Sequence, residues 1–196
     1  MAGSFAKRRC PANCCSPFSC AAQVGIPKDQ IFAINEIGEG LPDTAALATD
    51  YEKRMLKSFG MSFTPRLDLV MLGMGPDGHT ASLFPGHPLL EASSMSTISP
   101  ITDSPKPPPN RITFSLHAIN AARQICFVAT GGSKADVMKP ILEGTSDLPA
   151  ARVKARKDAE LHWFVDEDAT KSIDFNGKNR ADFLGLGLTN GKLELR

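Results

Sequence analysis

Apolar positions recur at helical spacing between residues 44 and 59 of this chain. The residues that share this spacing are Ala48, Tyr51, Met55 and Phe59. Asp43 and Thr44 precede them and offer N-cap chemistry, and Gly60 follows them as a typical helix stop. The pattern predicts a helix over about 44–59 whose apolar stripe lies on a sheet.

Four apolar runs predict strands. They cover residues 67–72, 111–116, 124–129 and 161–165. The first run is almost continuously apolar, which is typical of a strand covered on both faces and therefore of a parallel sheet. A helical turn through Ala121 follows the second run. A helix over about 133–142 follows the third, with Ser133 as its N-cap and Gly144 as its stop.

Strands that alternate with helices predict an α/β fold with a mainly parallel sheet flanked by helices. Ligands of such sheets bind beyond the carboxyl ends of the strands, where the loops at Gly73 and Gly131 fall. Residues 31–34 predict a short strand or extended segment. The proline-rich stretch 104–109 is expected to be extended and to lead into the strand that begins at Arg111.

The periodicity divides the chain into three parts. Residues 1–23 mix Cys, Pro, Ser and Ala without helical or strand spacing, and are expected to be irregular. Residues 24–170 hold the predicted α/β domain. Residues 171–196 carry several Gly and Asn and no convincing amphipathic element, so we expect a weakly ordered tail.

Composition narrows the function classes. The 196 residues are 42% hydrophobic and 22% charged, with a net charge of +1, as in an ordinary soluble globular domain. This charge gives no electrostatic case for nucleic acid or an anionic membrane as partner. No apolar run approaches the roughly 20 residues that span a bilayer. We therefore expect a cytoplasmic protein, and the sequence leaves its oligomeric state open.

Four cysteines cluster near the start of the chain, at Cys10, Cys14, Cys15 and Cys20. Their spacing contains no Cys-x-x-Cys pair, and no histidine lies nearby. We therefore predict no metal site, and reduced thiols in an irregular segment are the simpler interpretation.

The strongest chemical signal lies in the loop after the run 67–72. Gly73, Gly75 and Gly78 would let backbone amides approach an anion closely. Asp77 and His79 bring an acid/base pair to the same loop, and histidine is well suited to general-base work near neutral pH. Asp77 serves equally well as a turn residue, and His79 as a turn cap. The loop is neither a Walker loop nor a dinucleotide fingerprint.

Residues 73–86, GMGPDGHTASLFPG, resemble the signature of the 6-phosphogluconolactonases. The similarity continues through residues 108–113, 131–134 and 163–166, in the same order and spacing. It implies a modified Rossmann-like α/β fold, shared with glucosamine-6-phosphate deaminases. The implied reaction is hydrolysis of 6-phosphoglucono-1,5-lactone, a small phosphorylated sugar lactone, in the pentose phosphate pathway without a cofactor.

The resemblance also implies roles for individual residues. His79 is the expected general base that takes a proton from the attacking water, and Asp77 would orient that histidine or the loop. Arg111 and Lys134 are expected to hold the substrate phosphate, the arginine through a bidentate fork. Each has a simpler alternative, since Arg111 could be a solvated strand-end charge and Lys134 an exposed lysine at a helix start.

The resemblance begins near Gly25, and the sequence lacks the family's opening strand with its Ser-Gly-Gly-Ser-Thr-Pro-like phosphate loop. A fold incomplete at the N-terminus is therefore expected. Two alternatives to an active lactonase remain: an impaired sugar-phosphate-binding remnant, and an isomerase or deaminase of the same fold.

Overall fold

The computed structural model describes residues 25–35, 43–61, 63–91 and 96–173, together with the backbone of residues 187–189 and 192–194. Three helices lie in these ranges: α1 Thr44–Ser58, α2 Leu116–Asn120 and α3 Ala135–Leu142. The strands are β1 Leu69–Gly73, β2 Ile98–Ile101, β3 Arg111–Phe114, β4 Gln124–Ala129, β5 Glu160–Val165, β6 Gly187–Thr189 and β7 Lys192–Glu194. Single 3-10 turns lie at Lys28–Gln30, Pro88–Leu90, Gly132–Lys134 and Asp168–Thr170.

A three-stranded parallel sheet in the order β1-β4-β5 forms the centre of the fold. Leu72 lies opposite Phe127, and Phe127 lies opposite Trp163. The rings of Phe127 and Trp163 stack with their centroids 4.0 Å apart. This buried row continues into Met138 of α3, so α3 covers one face of the sheet. The α/β fold with a parallel sheet and helices is confirmed.

One expectation for β1 was wrong. The strand is parallel to β4, as predicted, but only alternate residues are buried. Leu69 and Met71 on the opposite face are 49% and 63% exposed, and Val128 beside them on β4 is 46% exposed. An apolar run indicates which residues prefer burial. It does not indicate whether another element of the described part of the chain covers them.

The run 111–116 forms a strand, but not in the parallel sheet. β3 pairs antiparallel with β2 in a separate two-stranded sheet, which corrects the expected placement. α1 packs on this pair through Leu47, Ala48 and Met55 against Ile98 and Ile112. Arg111 therefore stands at the start of a strand in the second sheet, and not at the end of a strand adjacent to β4.

Helix α1 confirms its predicted caps. The Asp43 carboxylate accepts a hydrogen bond of 2.8 Å from the backbone N–H of Ala46. Gly60, just past the end of the helix, has a φ of +62°. Residues 31–34 do not form a strand, and this segment lies against α1, where Tyr51 Oη donates to the Phe32 carbonyl.

Two further local expectations were wrong. Residues 104–109 are not extended, because the Ser104 N–H donates to the Pro109 carbonyl at 3.2 Å and closes the segment into a loop. Ser133 is not the N-cap of α3, because Gly132–Lys134 forms a 3-10 turn that leads into the helix. Gly144 does follow α3 with a φ of +72°.

The predictions for residues 1–23, including the cysteine cluster, lie outside the described residues. Within the predicted tail 171–196, β6 and β7 pair as a short antiparallel hairpin that the pattern did not predict. Among the described helices, none has the length and apolar character of a membrane span.

Candidate active site

The loop after β1 is closed by its own backbone. The N–H of Gly75 donates to the carbonyl of His79 at 2.9 Å, and the N–H of Gly78 donates to the carbonyl of Gly75 at 3.0 Å. Thr80 Oγ1 donates to the carbonyl of Gly73 at 2.9 Å. The amides of Gly75 and Gly78 are therefore used within the loop, and a contribution of Gly73 to anion binding stays a prediction.

Two of these glycines make room for particular neighbours. A Cβ atom on Gly75 would overlap the imidazole of His79 and would lie 2.6 Å from Asp77 Oδ1. Gly78 has a φ of +77°, and a Cβ there would lie 2.7 Å from Leu148 Cδ1. Gly75 thus allows the Asp77–His79 pair to fold over the loop, and Gly78 allows the loop to turn against Leu148.

Asp77 and His79 form a hydrogen-bonded pair. His79 Nδ1 lies 2.5 Å from Asp77 Oδ1. Partial burial acts to raise the pKa of Asp77, but hydrogen bonds from Lys106 and His79 outweigh it and hold that pKa at about 2. The carboxylate is therefore ionised at neutral pH, so we assign the proton to Nδ1 of the histidine. Nε2 is then left with a lone pair, as a general base requires.

This pKa makes a prediction about stability. Since the pKa of Asp77 in the fold is depressed from 3.8 to about 2, its contribution is fully present above about pH 4 and is lost as the pH falls toward 2. Asp77→Asn should therefore lower the urea midpoint relative to the parent at pH 6, and the gap should narrow between pH 4 and 2. Asp136→Asn, on the exposed side of α3, is the control. A gap that stays constant down to pH 2 would contradict the ionised pair.

Lys106 is the site residue that sequence reasoning missed. Its Nζ lies 2.8 Å from Asp77 Oδ2 and 3.2 Å from His79 Nδ1. The only signal for it was a lysine among prolines, in a segment that was expected to be extended. Because the loop curls back, the lysine reaches His79, which lies 27 positions away in sequence, together with its partner Asp77.

Phe84 forms the floor under this group. It is 1% exposed, and its ring stacks on that of His79 with centroids 4.8 Å apart. The guanidinium carbon of Arg111 lies 5.5 Å from the centre of the same ring, within range of a cation–π contact. Arg111 and His79 thus contact the same aromatic ring.

The donors of Arg111 are largely engaged by the loop 104–109. Its Nε donates to the Pro108 carbonyl at 3.0 Å, and one terminal nitrogen donates to the carbonyls of Lys106 and Pro107 at 2.8 and 3.0 Å. The second terminal nitrogen makes no such contact with the described residues, and remains the donor best placed to meet a ligand. Phosphate binding by this arginine stays a prediction.

The loop after β4 lies at the same end of the sheet as the loop after β1, since the two strands are parallel neighbours. This confirms the predicted proximity of the loops.

The Gly131 N–H donates to both oxygens of Asp166, at 3.0 and 2.9 Å, and the Ala169 N–H donates to Oδ1. These hydrogen bonds lower the pKa of Asp166, and the one from the Ala169 amide has the larger effect. Asp166 thereby fixes the loop that carries Lys134, whose Nζ donates to the Thr130 carbonyl at 3.0 Å.

A cleft of about 380 Å³ opens beside His79 on the exposed side of β1. Its walls are β1, Gly75, Ala81 and Phe114. His79 therefore lines a cleft that runs along β1 to its carboxyl end, and that end of a parallel sheet is where α/β proteins bind small ligands. The fold and site together define an α/β protein with a hydrogen-bonded Asp–His pair beside a cleft.

Comparison with known proteins gives the family. The family of glucosamine-6-phosphate isomerases/6-phosphogluconolactonase matches residues 18–163. The chain belongs to this family. Curated 6-phosphogluconolactonases of Rattus norvegicus and Homo sapiens are 48% and 47% identical to it, over 78% of the chain in each case. The chain spans 57% of the length of these relatives.

A solved structure agrees. The 6-phosphogluconolactonase of Leishmania guyanensis superposes with a TM-score of 0.63 at 25% identity, over 80% of this chain and 68% of that one. The resemblance in the loop 73–86 thus extends to sequence and fold over most of the chain.

Proposed function

We propose that this protein hydrolyses 6-phospho-D-glucono-1,5-lactone to 6-phosphogluconate in the oxidative pentose phosphate pathway, in the cytoplasm and without a cofactor. The observation that carries the proposal is the Asp77–His79 pair, which leaves Nε2 as an acceptor on a histidine that lines the cleft. The names of the curated relatives support the same reaction.

The reaction needs one proton acceptor and later one proton donor. His79 Nε2 takes a proton as the oxygen of water forms a bond to the lactone carbonyl carbon. The bond from that carbon to the ring oxygen then breaks, and the imidazolium returns the proton to the departing oxygen. The products are a hydroxyl group and a carboxylic acid, which ionises in water. Asp77 stabilises the charged imidazole while it holds the proton.

Binding of the phosphate is assigned to two basic side chains, neither of which lines the cleft itself. The proposed contacts are Arg111 and Lys134, with Gly73, Gly75 and Gly78 shaping the loop between them and the sheet. The free terminal nitrogen of Arg111 supplies one donor and the Lys134 ammonium a point charge.

Hydrolysis measured against the spontaneous rate tests the proposal directly. Lactone generated in place from glucose 6-phosphate is followed by its loss or by proton release, with and without the protein. A rate that rises in proportion to protein concentration supports the proposal. A rate equal to the spontaneous background, from protein that is folded by circular dichroism, contradicts it.

A second candidate is a sugar-phosphate-binding protein without turnover, which would use the basic side chains of Arg111 and Lys134. This candidate predicts that 6-phosphogluconate binds in calorimetry while lactone hydrolysis stays at background. The isomerase or deaminase alternative predicts turnover of glucosamine 6-phosphate instead.

Removal of Arg111 should separate phosphate binding from loop support. Arg111→Ala is expected to weaken the binding of 6-phosphogluconate by at least about 1.5 kcal/mol, the scale of a charge-assisted hydrogen bond. Its effect on the binding of gluconate, which has no phosphate, should be much smaller. Calorimetric titration of both ligands measures the difference. Arg156→Ala, at an exposed position, is the control. Equal losses for both ligands would assign Arg111 to the loop alone.

A further inference from the structure

Lys106 reaches the Asp77–His79 pair from a separate loop, and it contacts both members. Its ammonium lies 2.8 Å from Asp77 Oδ2, while Asp77 Oδ1 faces His79 Nδ1 at 2.5 Å. The two oxygens of one carboxylate are thus divided between two donors. An ionised carboxylate held on both sides has a single orientation, whereas one held by His79 alone can rotate.

The contact between Lys106 and His79 itself is not a hydrogen bond. With the proton assigned to Nδ1 and donated to Asp77, this nitrogen has no lone pair in the ring plane for the ammonium 3.2 Å away. Both groups are donors at this distance. Lys106 therefore acts on the histidine through Asp77, and not by direct contact.

The backbone of Lys106 is held as firmly as its side chain. Its carbonyl accepts from Ser104 Oγ at 2.7 Å and from the Arg111 guanidinium at 2.8 Å. Arg111 in turn lies over Phe84, the ring on which His79 stacks. A closed set of contacts therefore runs from Arg111 through Lys106 and Asp77 to His79 and back through Phe84.

We propose that Lys106 is a positioning residue, whose ammonium fixes the Asp77 carboxylate so that His79 keeps its proton on Nδ1 and presents Nε2 to water. This inference rests on the proposed function for its catalytic consequence. Its structural content, the tautomer of His79, stands apart from turnover. A ligand contact by the same ammonium is the competing role, since Lys106 is 38% exposed in its side chain.

The test replaces Lys106 with methionine, which keeps the length of the side chain and removes the charge. We expect kcat to fall about 10- to 100-fold, the range found when an outer partner that orients a histidine is lost. KM should stay within about twofold, because the lysine is not assigned to substrate binding. Lys106→Arg should recover part of the loss. Lys53→Met, on the exposed side of α1, is the matched control.

Nitrogen NMR of the His79 ring gives a readout that does not depend on activity. The parent should have its proton on Nδ1, and Lys106→Met should show a mixture of the two neutral tautomers. Retention of the Nδ1–H form in Lys106→Met would overturn the proposal. So would a rise in KM with kcat unchanged, which would assign Lys106 to substrate. If the parent does not hydrolyse the lactone, the proposed function fails, and the tautomer measurement still decides the role of Lys106.

Discussion

His79→Asn should remove most of the acceleration of lactone hydrolysis and leave affinity for 6-phosphogluconate nearly unchanged. Asparagine keeps the polarity and approximate size of the side chain, but it cannot take a proton from water at neutral pH. A positioned general base contributes about 10²–10⁴-fold, so a loss in kcat of that size is expected. A loss confined to turnover identifies a group used in the transition state and not in ground-state binding.

The measurement is steady-state hydrolysis corrected for the spontaneous rate, together with calorimetric titration of the product. His117→Asn is the control, because His117 is exposed on α2 at a distance in sequence from the loop. The limb of the pH–rate profile that reports titration of the base should also disappear in His79→Asn. A variant that keeps the parent's rate would remove His79 from the mechanism.

The local sequence pattern is sufficient to predict the bounds of elements that bury one face. The predicted bounds of β4, residues 124–129, match the structure, and α1 differs from the predicted 44–59 by one residue at its end. Both have a clear period and distinct stop residues. The Gly73 loop is located for the same reason, because a glycine-rich segment directly follows an apolar run.

The sequence pattern does not predict the features that depend on which elements pack against or pair with a strand. β3 is a strand as expected, but its partner β2 contains Pro100, and a proline weakens the signal of a strand. Because the signal of β2 is weak, the pattern places the run 111–116 in the parallel sheet. The exposure of Met71 is the second case, because hydrophobicity along one strand contains no information on what lies above it.

The candidate site divides in the same way. Asp77 and His79 are two residues apart, so their hydrogen bond could be expected from the loop alone. The position of Lys106 could not be expected in this way, because it depends on how the loop 104–109 closes. That closure depends on hydrogen bonds from Arg111 to three carbonyls of the loop. A side chain that was assigned to phosphate by resemblance thus has a second use in shaping the site.

Gly75→Ala should affect turnover almost as strongly as loss of the base, although it changes no polar group. The new Cβ would overlap the His79 ring and would lie 2.6 Å from Asp77 Oδ1, so the pair must separate or the loop must shift. Turnover should fall by about 10²-fold or more, since a general base works only within hydrogen-bond reach of its proton. The free energy of unfolding should fall by about 1–3 kcal/mol, the usual cost of overpacking.

Gly73→Ala supplies the steric comparison, because a Cβ at that position meets no atom within 4 Å. Its loss in kcat should be much smaller than that of Gly75→Ala in the same assay. Gly78→Ala is the complementary case, because Gly78 has a φ of +77° and a Cβ there would meet Leu148. We expect this variant to lose more thermal stability, for a given loss of turnover, than Gly75→Ala does. The ratio of lost activity to lost stability should therefore be greatest for Gly75→Ala. Nearly equal ratios for the three variants would mean that the glycines serve the fold of the loop alone, and that room for the Asp77–His79 pair is not what Gly75 provides.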